Sequence, residues 1–545
     1  MEMFERAKQI KTLAKWGAKP AERQLDEDIL ADIARYWRRY SETLPETRIV
    51  DDITWNDLDM DRVFHSINHT VSITGSEVLY AMMRDTGCSN DELAAREAMI
   101  ECFQADEEAR SHAQSALRRI RSSHFHGAVE YIFAPEKRVP AREWLYYVLG
   151  TAPLLCILLG CFNTAFFPAL IPLLIVNIIV YYRSNLVWRA EYSAVRHIAS
   201  VLNCAQKLAK LERSAISAHM QGIRSCLDHL RGARFWCGLF ALDLPGELGL
   251  LTEYLRILFL VDMVSLCRII SHLRKNERAV QDIYRLVGET DACLSVASKR
   301  SGCKNIVQPT FTEEHIIDAK GLVHPLLDNP VANDCIFDNN ILITGSNASG
   351  KSTFIKAVAI NAILAQTIHT CFASAFIMCR AHVMTSMAVR DDISRGESYF
   401  VAEIRSLKRI LDAAGMGDMV FCFIDEILRG TNTVERIAAS SSVLRSLEGR
   451  NILCMAATHD VELTRILEGC FDNWHFRERI TESGVVFDYL RCDGPATGRN
   501  AIALLAQMGF ETEVIDRANA AVKHFEDTGL WEKVETAGTQ YFTGH

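Results

Sequence analysis

Over the first 45 positions apolar residues recur at helical spacing among charged ones, which predicts one or two amphipathic helices. The same period runs on through residues 46–110, with a polar break from Asp85 to Asp91. It vanishes between Trp144 and Tyr182, where 39 consecutive residues carry no charge. A bilayer core about 30 Å thick takes about 20 apolar residues of helix, so this run predicts two spans rather than one. The turn falls near Phe162-Asn163-Thr164, with Pro168 at the start of the second helix, where its missing N–H costs little. Trp144, Tyr146 and Tyr147 mark one end, and Tyr181, Tyr182 and Trp188 the other, as residues of a membrane interface do.

Helical spacing resumes at about residue 183 and continues to about 300. Within it, residues 248–270 form a second apolar segment, but Glu253, Arg256, Asp262 and Arg268 interrupt any lipid-facing surface, so a core helix is expected there. A connection around Gln308-Pro309 leads to a different texture. From about residue 335 short apolar strands alternate with helices, the pattern of a parallel sheet. The expected fold is therefore α + α/β: a long-helix core interrupted by a two-helix transmembrane hairpin, then an α/β domain with a sheet containing parallel strands. In residues, the expectation is amphipathic helices over 1–50, helical core over 51–143, hairpin over 144–182, helical core and lever over 183–318, the α/β domain over 319–530 and a tail over 531–545.

Composition changes this picture little. The 545 residues are 49% apolar and 23% charged, with 59 Lys and Arg against 68 Asp and Glu, a net charge of −9. Such a chain holds several domains with sizeable cores, and it is neither disordered, collagen-like nor a small stapled scaffold. The seventeen cysteines are scattered, form no C-x-x-C pair and often sit in apolar runs, which predicts buried, reduced thiols. Charge matters locally. Residues 111–142 and 183–213, on either side of the uncharged run, each carry six Lys or Arg against two acids. Both flanks, both termini and the α/β domain over 319–530 are therefore expected on the cytoplasmic face, with the protein a two-pass membrane protein. The N-terminus has no apolar h-region, so a cleaved signal peptide is not expected.

The strongest chemical signal is Gly345-Ser346-Asn347-Ala348-Ser349-Gly350-Lys351-Ser352, a complete G-x-x-x-x-G-K-S followed by Thr353. It lies between an apolar strand and a helix, as a phosphate-binding loop must: glycines let backbone N–H groups curl around phosphates, and the helix N-terminus adds positive potential. Lys351 would contact the β- and γ-phosphates of ATP, and the Ser352 hydroxyl would ligate Mg²⁺. A second apolar strand ends in Asp425-Glu426, where Asp425 would organise Mg²⁺ and Glu426 would polarise the attacking water. A third ends in Thr458-His459-Asp460, and His459 there can sense the γ-phosphate.

The loop with Asn347 at its third position resembles the nucleotide loop of the MutS DNA mismatch-repair ATPases, as do Asp425-Glu-Ile-Leu-Arg-Gly-Thr-Asn-Thr433 and Ala457-Thr-His-Asp-Val-Glu-Leu463. Gly396-Glu-Ser398-Tyr-Phe400-Val-Ala-Glu403 is similar to the family's signature segment. Phe64–Ser76 and Gly288–Ala297 resemble parts of its helical core. The likeness is strong over roughly 320–525 and weaker over 50–320. It implies a homodimer with composite ATP sites in which Ser398 acts in trans, and DNA as a partner. The family's mismatch-reading domain has no counterpart in the first 50 residues, and its lever region here contains the hairpin. The likeness is thus to membrane-anchored MutS-like proteins. The leading expectation is an ATPase whose lever movement is coupled to DNA. The alternative is a DNA-independent, membrane-tethered switch or remodelling factor acting on lipid or on a membrane protein.

Overall fold

The computed structural model describes residues 16–18, 27–120, 127–134, 140, 142–240, 247–346, 349–387, 399–481, 484–496, 502, 505, 506 and 508–531. The chain forms two compact units. The first comprises Met1–Pro309 together with Asn361–Cys371, and the second Thr310–Ile360 with Phe372–His545.

The first unit is helical. After α1 (Glu27–Ser41), its core is built on α2 (Ile73–Arg84), α3 (Asn90–Ala105), α6 (Arg189–Leu208) and the long α10 (Glu277–Gly302). Helix α3 starts where Ser89 and Glu92 close a reciprocal capping box, each side chain holding the other's backbone N–H. The two sequence segments singled out upstream of the nucleotide domain meet where α10 packs on α2. There Asp291, fully buried, accepts hydrogen bonds from the Val71 and Ser72 amides and from Ser72 Oγ, 2.6–2.9 Å at closest. Ser295 Oγ accepts from the His69 amide and donates to the Ile67 carbonyl. A Cβ on Gly75 would stand 2.2 Å from Asp291 Oδ2, so only glycine lets the carboxylate reach the start of α2. These residues tie the helical core together.

The uncharged run forms α4 (Glu143–Phe162), a 3₁₀ turn at Thr164–Ala169 and α5 (Leu170–Val187). Pro168 lies inside the 3₁₀ turn, and Asn163 caps that turn by accepting from the Ala165 amide. Both helices are long and apolar enough to cross a membrane, and only 17% and 6% of their most apolar windows are buried. A helix of a soluble core would bury most of such a surface.

The second apolar segment departs from expectation. It is two helices, α8 (Glu247–Leu258) and α9 (Val261–Lys275), joined where Leu260 takes a positive φ of 48°. Helix α9 is a core helix, with Leu266, Ile269, Ile270 and Leu273 buried, and packs on α7 (Arg231–Phe240). Helix α8 is not: Tyr254 is 70% and Leu255 42% exposed. Arg256 is where the sequence reading and the structure diverge, because its charge is absorbed by Asp262 (2.8 Å) and by the Phe240 carbonyl (2.7 Å).

In the second unit a six-stranded sheet has the order β10-β9-β4-β8-β7-β6, with β4 (Ile341–Thr344), β6 (His382–Ser386), β7 (Val420–Asp425), β8 (Ile452–Ala457), β9 (Asp472–Thr481) and β10 (Gly484–Asp493). All pairs are parallel except β9–β10. A smaller mixed sheet, β1-β5-β2-β3, pairs β1 (Thr310–Phe311), β2 (Ile317–Leu322), β3 (Asn333–Phe337) and β5 (Ala375–Met378). The central strands β4, β7 and β8 are almost wholly buried, which is why they read as continuous apolar runs. Helices α11 (Lys351–Ile368), α12 (Tyr399–Ala414) and α13 (Thr433–Arg445) follow β4, β6 and β7 in the chain. Ten of the seventeen cysteines are buried and all are free thiols.

Candidate functional site

The sheet order places β4 beside β8, and β8 beside β7, so the three strand ends named from the sequence emerge side by side. In an open parallel sheet that edge is where ligands bind. Strand β4 runs through the glycine-rich loop into α11. Two of its glycines are required by geometry. Gly345 has φ 144°, and a Cβ there would stand 2.5 Å from the Phe476 carbonyl; Gly350 has φ 105°, with the Tyr489 ring 3.1 Å from where its Cβ would be. Ser349 is fully buried, and Ser352 and Thr353 are exposed. Lys351 is 5% exposed and turns back into the loop, donating at 2.7 Å to the carbonyls of both Gly345 and Ser346. Asn347 and Ala348 lie outside the described residues, as does Ser398.

Asp425 closes β7. Burial pushes its carboxyl up, against a hydrogen bond from Ser352 and the charge of Lys351. Its Oδ1 is buried and has no hydrogen-bond partner among the described residues. An orphaned carboxylate oxygen beside a serine hydroxyl suits a hard, oxygen-seeking cation such as Mg²⁺. Glu426, the next residue, has a positive φ of 57°, as has Leu428 at 54°. Non-glycine residues in this region are strained and persist only where their surroundings hold them. The brace is Glu403 of α12, which is buried and accepts the Leu428 amide. Burial raises the Glu403 carboxyl, and the Leu428 and Arg429 amides oppose it.

The turn presents Glu426 to two partners. Its Oε1 is 3.0 Å from His459 Nε2 and its Oε2 2.7 Å from Arg429 Nη1. His459 stands at the end of β8, whose continuation is fixed by a two-pronged pair between Arg436 and Asp460, 2.8 and 2.6 Å. Arg429, Glu403 and Asp460 lie within motifs quoted from the sequence but had no role there: Glu403 and Asp460 act on residues of other elements, and Arg429 meets Glu426 through the strained turn. The sequence reading missed the cavity. A hollow of about 530 Å³ is lined by Gly350, Lys351, Ser352 and Glu426, by the polar Asp328 and Asn329, and by Leu327, Val331, Phe354 and Tyr489 among others. Polar loop groups and apolar, aromatic side chains in one cavity suit a nucleotide's phosphates and base. Tyr489 reaches it from a bulge in β10 with a φ of 55°, and Asn333 donates to its carbonyl at 3.0 Å. A bulge leaves no signature in an alternating strand.

A parallel sheet that feeds such a loop into a helix, with an acid-tipped strand close by, defines a nucleotide-binding domain of the phosphate-loop class. Residues 341–526 match the family model MutS domain V. Over 284 residues the chain is 29% identical to the DNA mismatch repair protein MutS of Methanosarcina barkeri, covering 49% of this chain and 31% of that protein. It is 30% identical over 254 residues to the protein of the same name from Thermus thermophilus (45% and 30%), and 27% over 274 residues to that of Staphylococcus epidermidis (47% and 30%). The chain thus spans less than a third of the length of these curated relatives, and the matches support kinship with MutS through its ATPase domain.

Proposed function

We propose that this chain is a membrane-anchored ATPase of MutS type that hydrolyses ATP at composite sites of a homodimer and couples the cycle to movement of its helical core. The observation that carries the reading is the placement of Glu426, braced by His459 and Arg429, on the rim of the cavity that holds Lys351 and Gly350. Glu426 would take the proton of the attacking water. His459, in contact with that carboxylate, would register whether the γ-phosphate is present. Lys351 would exchange its two carbonyl partners for phosphate oxygens, with Gly345, Ser346, Asn347, Ala348, Ser349, Gly350 and Thr353 supplying the loop and Ser398 completing the partner's site. Ser352 and Asp425 would hold Mg²⁺, which when bound offsets phosphate charge.

DNA is the partner suggested by the relatives' names, and the hairpin at 144–182 would hold the protein in a bilayer with both termini and the ATPase domain on the cytoplasmic side. A second reading, a membrane-tethered switch without DNA, is favoured by one observation. Arg213, one of the basic flanking residues, is already paired with Asp106 and Glu108. The deciding experiment is phosphate release by the full chain in detergent, with duplex DNA or with added lipid. Stimulation by DNA that fades with salt supports the first reading. Stimulation by lipid alone supports the second, and no turnover in any condition removes both.

A further inference from the structure

The side chain of Asn177, at the heart of the apolar helix α5, is fully buried. Its amide donates to two carbonyls, Leu149 at 3.1 Å and Leu258 at 2.7 Å. Neither carbonyl is served by its own helix ladder. Four residues after Leu149 in α4 comes Pro153, which has no N–H to give, and Leu258 is the last residue of α8. In hydrocarbon, where no water can replace the missing donors, this one amide satisfies both. The helices also meet closely: a Cβ on Gly150 would lie 2.6 Å from the Phe259 carbonyl, so only glycine admits that backbone.

The depth of this junction follows from two rulers. Asn177 lies five residues below Tyr182 on α5 and Leu149 five residues below Trp144 on α4, about 7–8 Å beneath the aromatic ends in each case. The ends themselves are open, with Trp144 61% and Tyr182 60% exposed. We infer that the last turn of α8 and its junction with α9 form a third membrane-embedded element, re-entrant from the interface and held at that depth by Asn177. The inference rests on the reading of α4 and α5 as membrane spans. The exposed apolar face of α8, with Tyr254 70% and Leu255 42% exposed, then faces lipid at the interface. The charges nearby fit that level. Arg256 is paired with the Asp262 carboxylate and donates to the Phe240 carbonyl, and exposed Glu253, more than a turn before Leu258, stays among headgroups.

The test is a photoreactive p-benzoylphenylalanine placed singly at Tyr254, Leu158 or Phe525 in the full chain, reconstituted in vesicles of phosphatidylcholine and phosphatidylglycerol containing radiolabelled lipid. Irradiation is expected to give lipid adducts at Tyr254 and Leu158 and none at Phe525. In Asn177→Leu the adduct at Tyr254 should fall severalfold while that at Leu158 persists. An adduct at Leu158 but none at Tyr254 overturns the inference and leaves the hairpin standing. No adduct at Leu158 overturns the hairpin itself. A protein–protein crosslink at Tyr254 in place of the lipid adduct shows that a second copy covers this face, and also overturns the inference.

Discussion

Glu426→Gln is the perturbation that separates chemistry from architecture at this site. The carboxylate makes two pairs, but Arg429 is 68% and His459 39% exposed, so both contacts are screened by solvent. Exposed pairs of this kind stabilise by about 0–1 kcal/mol. Gln keeps the shape and one carbonyl oxygen, and the strained turn is held by the Glu403 carboxylate on the Leu428 amide, which the substitution leaves untouched. The variant should therefore unfold within about 1 kcal/mol of the parent. A positioned general base contributes about 10²–10⁴ in rate, equivalent to about 3–5 kcal/mol in the barrier. Turnover should fall by that factor while ATP is still bound, since Lys351 and the loop are intact. The assay is steady-state phosphate release by the full chain in detergent, alongside nucleotide binding and a thermal melt. Unchanged turnover with ATP bound would refute the assignment of Glu426, and a large loss of stability would refute the claim that its pairs are screened.

Three further outcomes follow from other parts of the molecule. In the helical unit Glu97 is buried and holds Arg300 through both carboxylate oxygens and His369 at 3.0 Å, and these partners outweigh burial to keep its carboxyl below the usual range. Glu97→Gln leaves the Arg300 guanidinium, 9% exposed, without its charge partner and should cost about 3–5 kcal/mol in denaturant unfolding of that unit. Burial raises the Asp291 carboxyl from 3.8 to about 6, against the hydrogen bonds of Ser72 and Val71. Raised in the folded state, it favours folding below about pH 4 and loses that contribution as pH rises through 6, by about 3 kcal/mol in all; the stability difference from Asp291→Asn, measured from pH 4 to 7, should shift by that amount and stay flat outside the window. Gly345→Ala would thrust a methyl within 2.5 Å of the Phe476 carbonyl at a φ of 144°, so binding of a fluorescent ATP analogue should be lost while the far-ultraviolet circular dichroism is retained.

What the sequence determined by itself is whatever its neighbours along the chain suffice to specify. The glycine-rich loop was legible because its lysine and serines, the glycines that let the backbone curl and the strand and helix that flank it are contiguous. The two apolar helices at 143–162 and 170–187 were legible because a run of 39 residues without charge specifies them by composition and length alone. The tertiary structure decided everything that rests on contact across distance. The pairing of Glu426 with His459 joins strands 33 residues apart, the Glu403 brace comes from another helix, and the cavity includes a tyrosine presented by a bulge. Helix α8 reads as core because it carries Arg256, and only the fold shows that charge neutralised by Asp262 and its helix exposed. Asn177 is the sharpest instance. In sequence it is one polar residue in an apolar helix; in the structure it serves a carbonyl freed by a proline 24 residues before it and another at a helix end 81 residues after it. Periodicity reports which face is apolar, but a hydrogen bond between distant segments has no period, and only folding brings its two ends together.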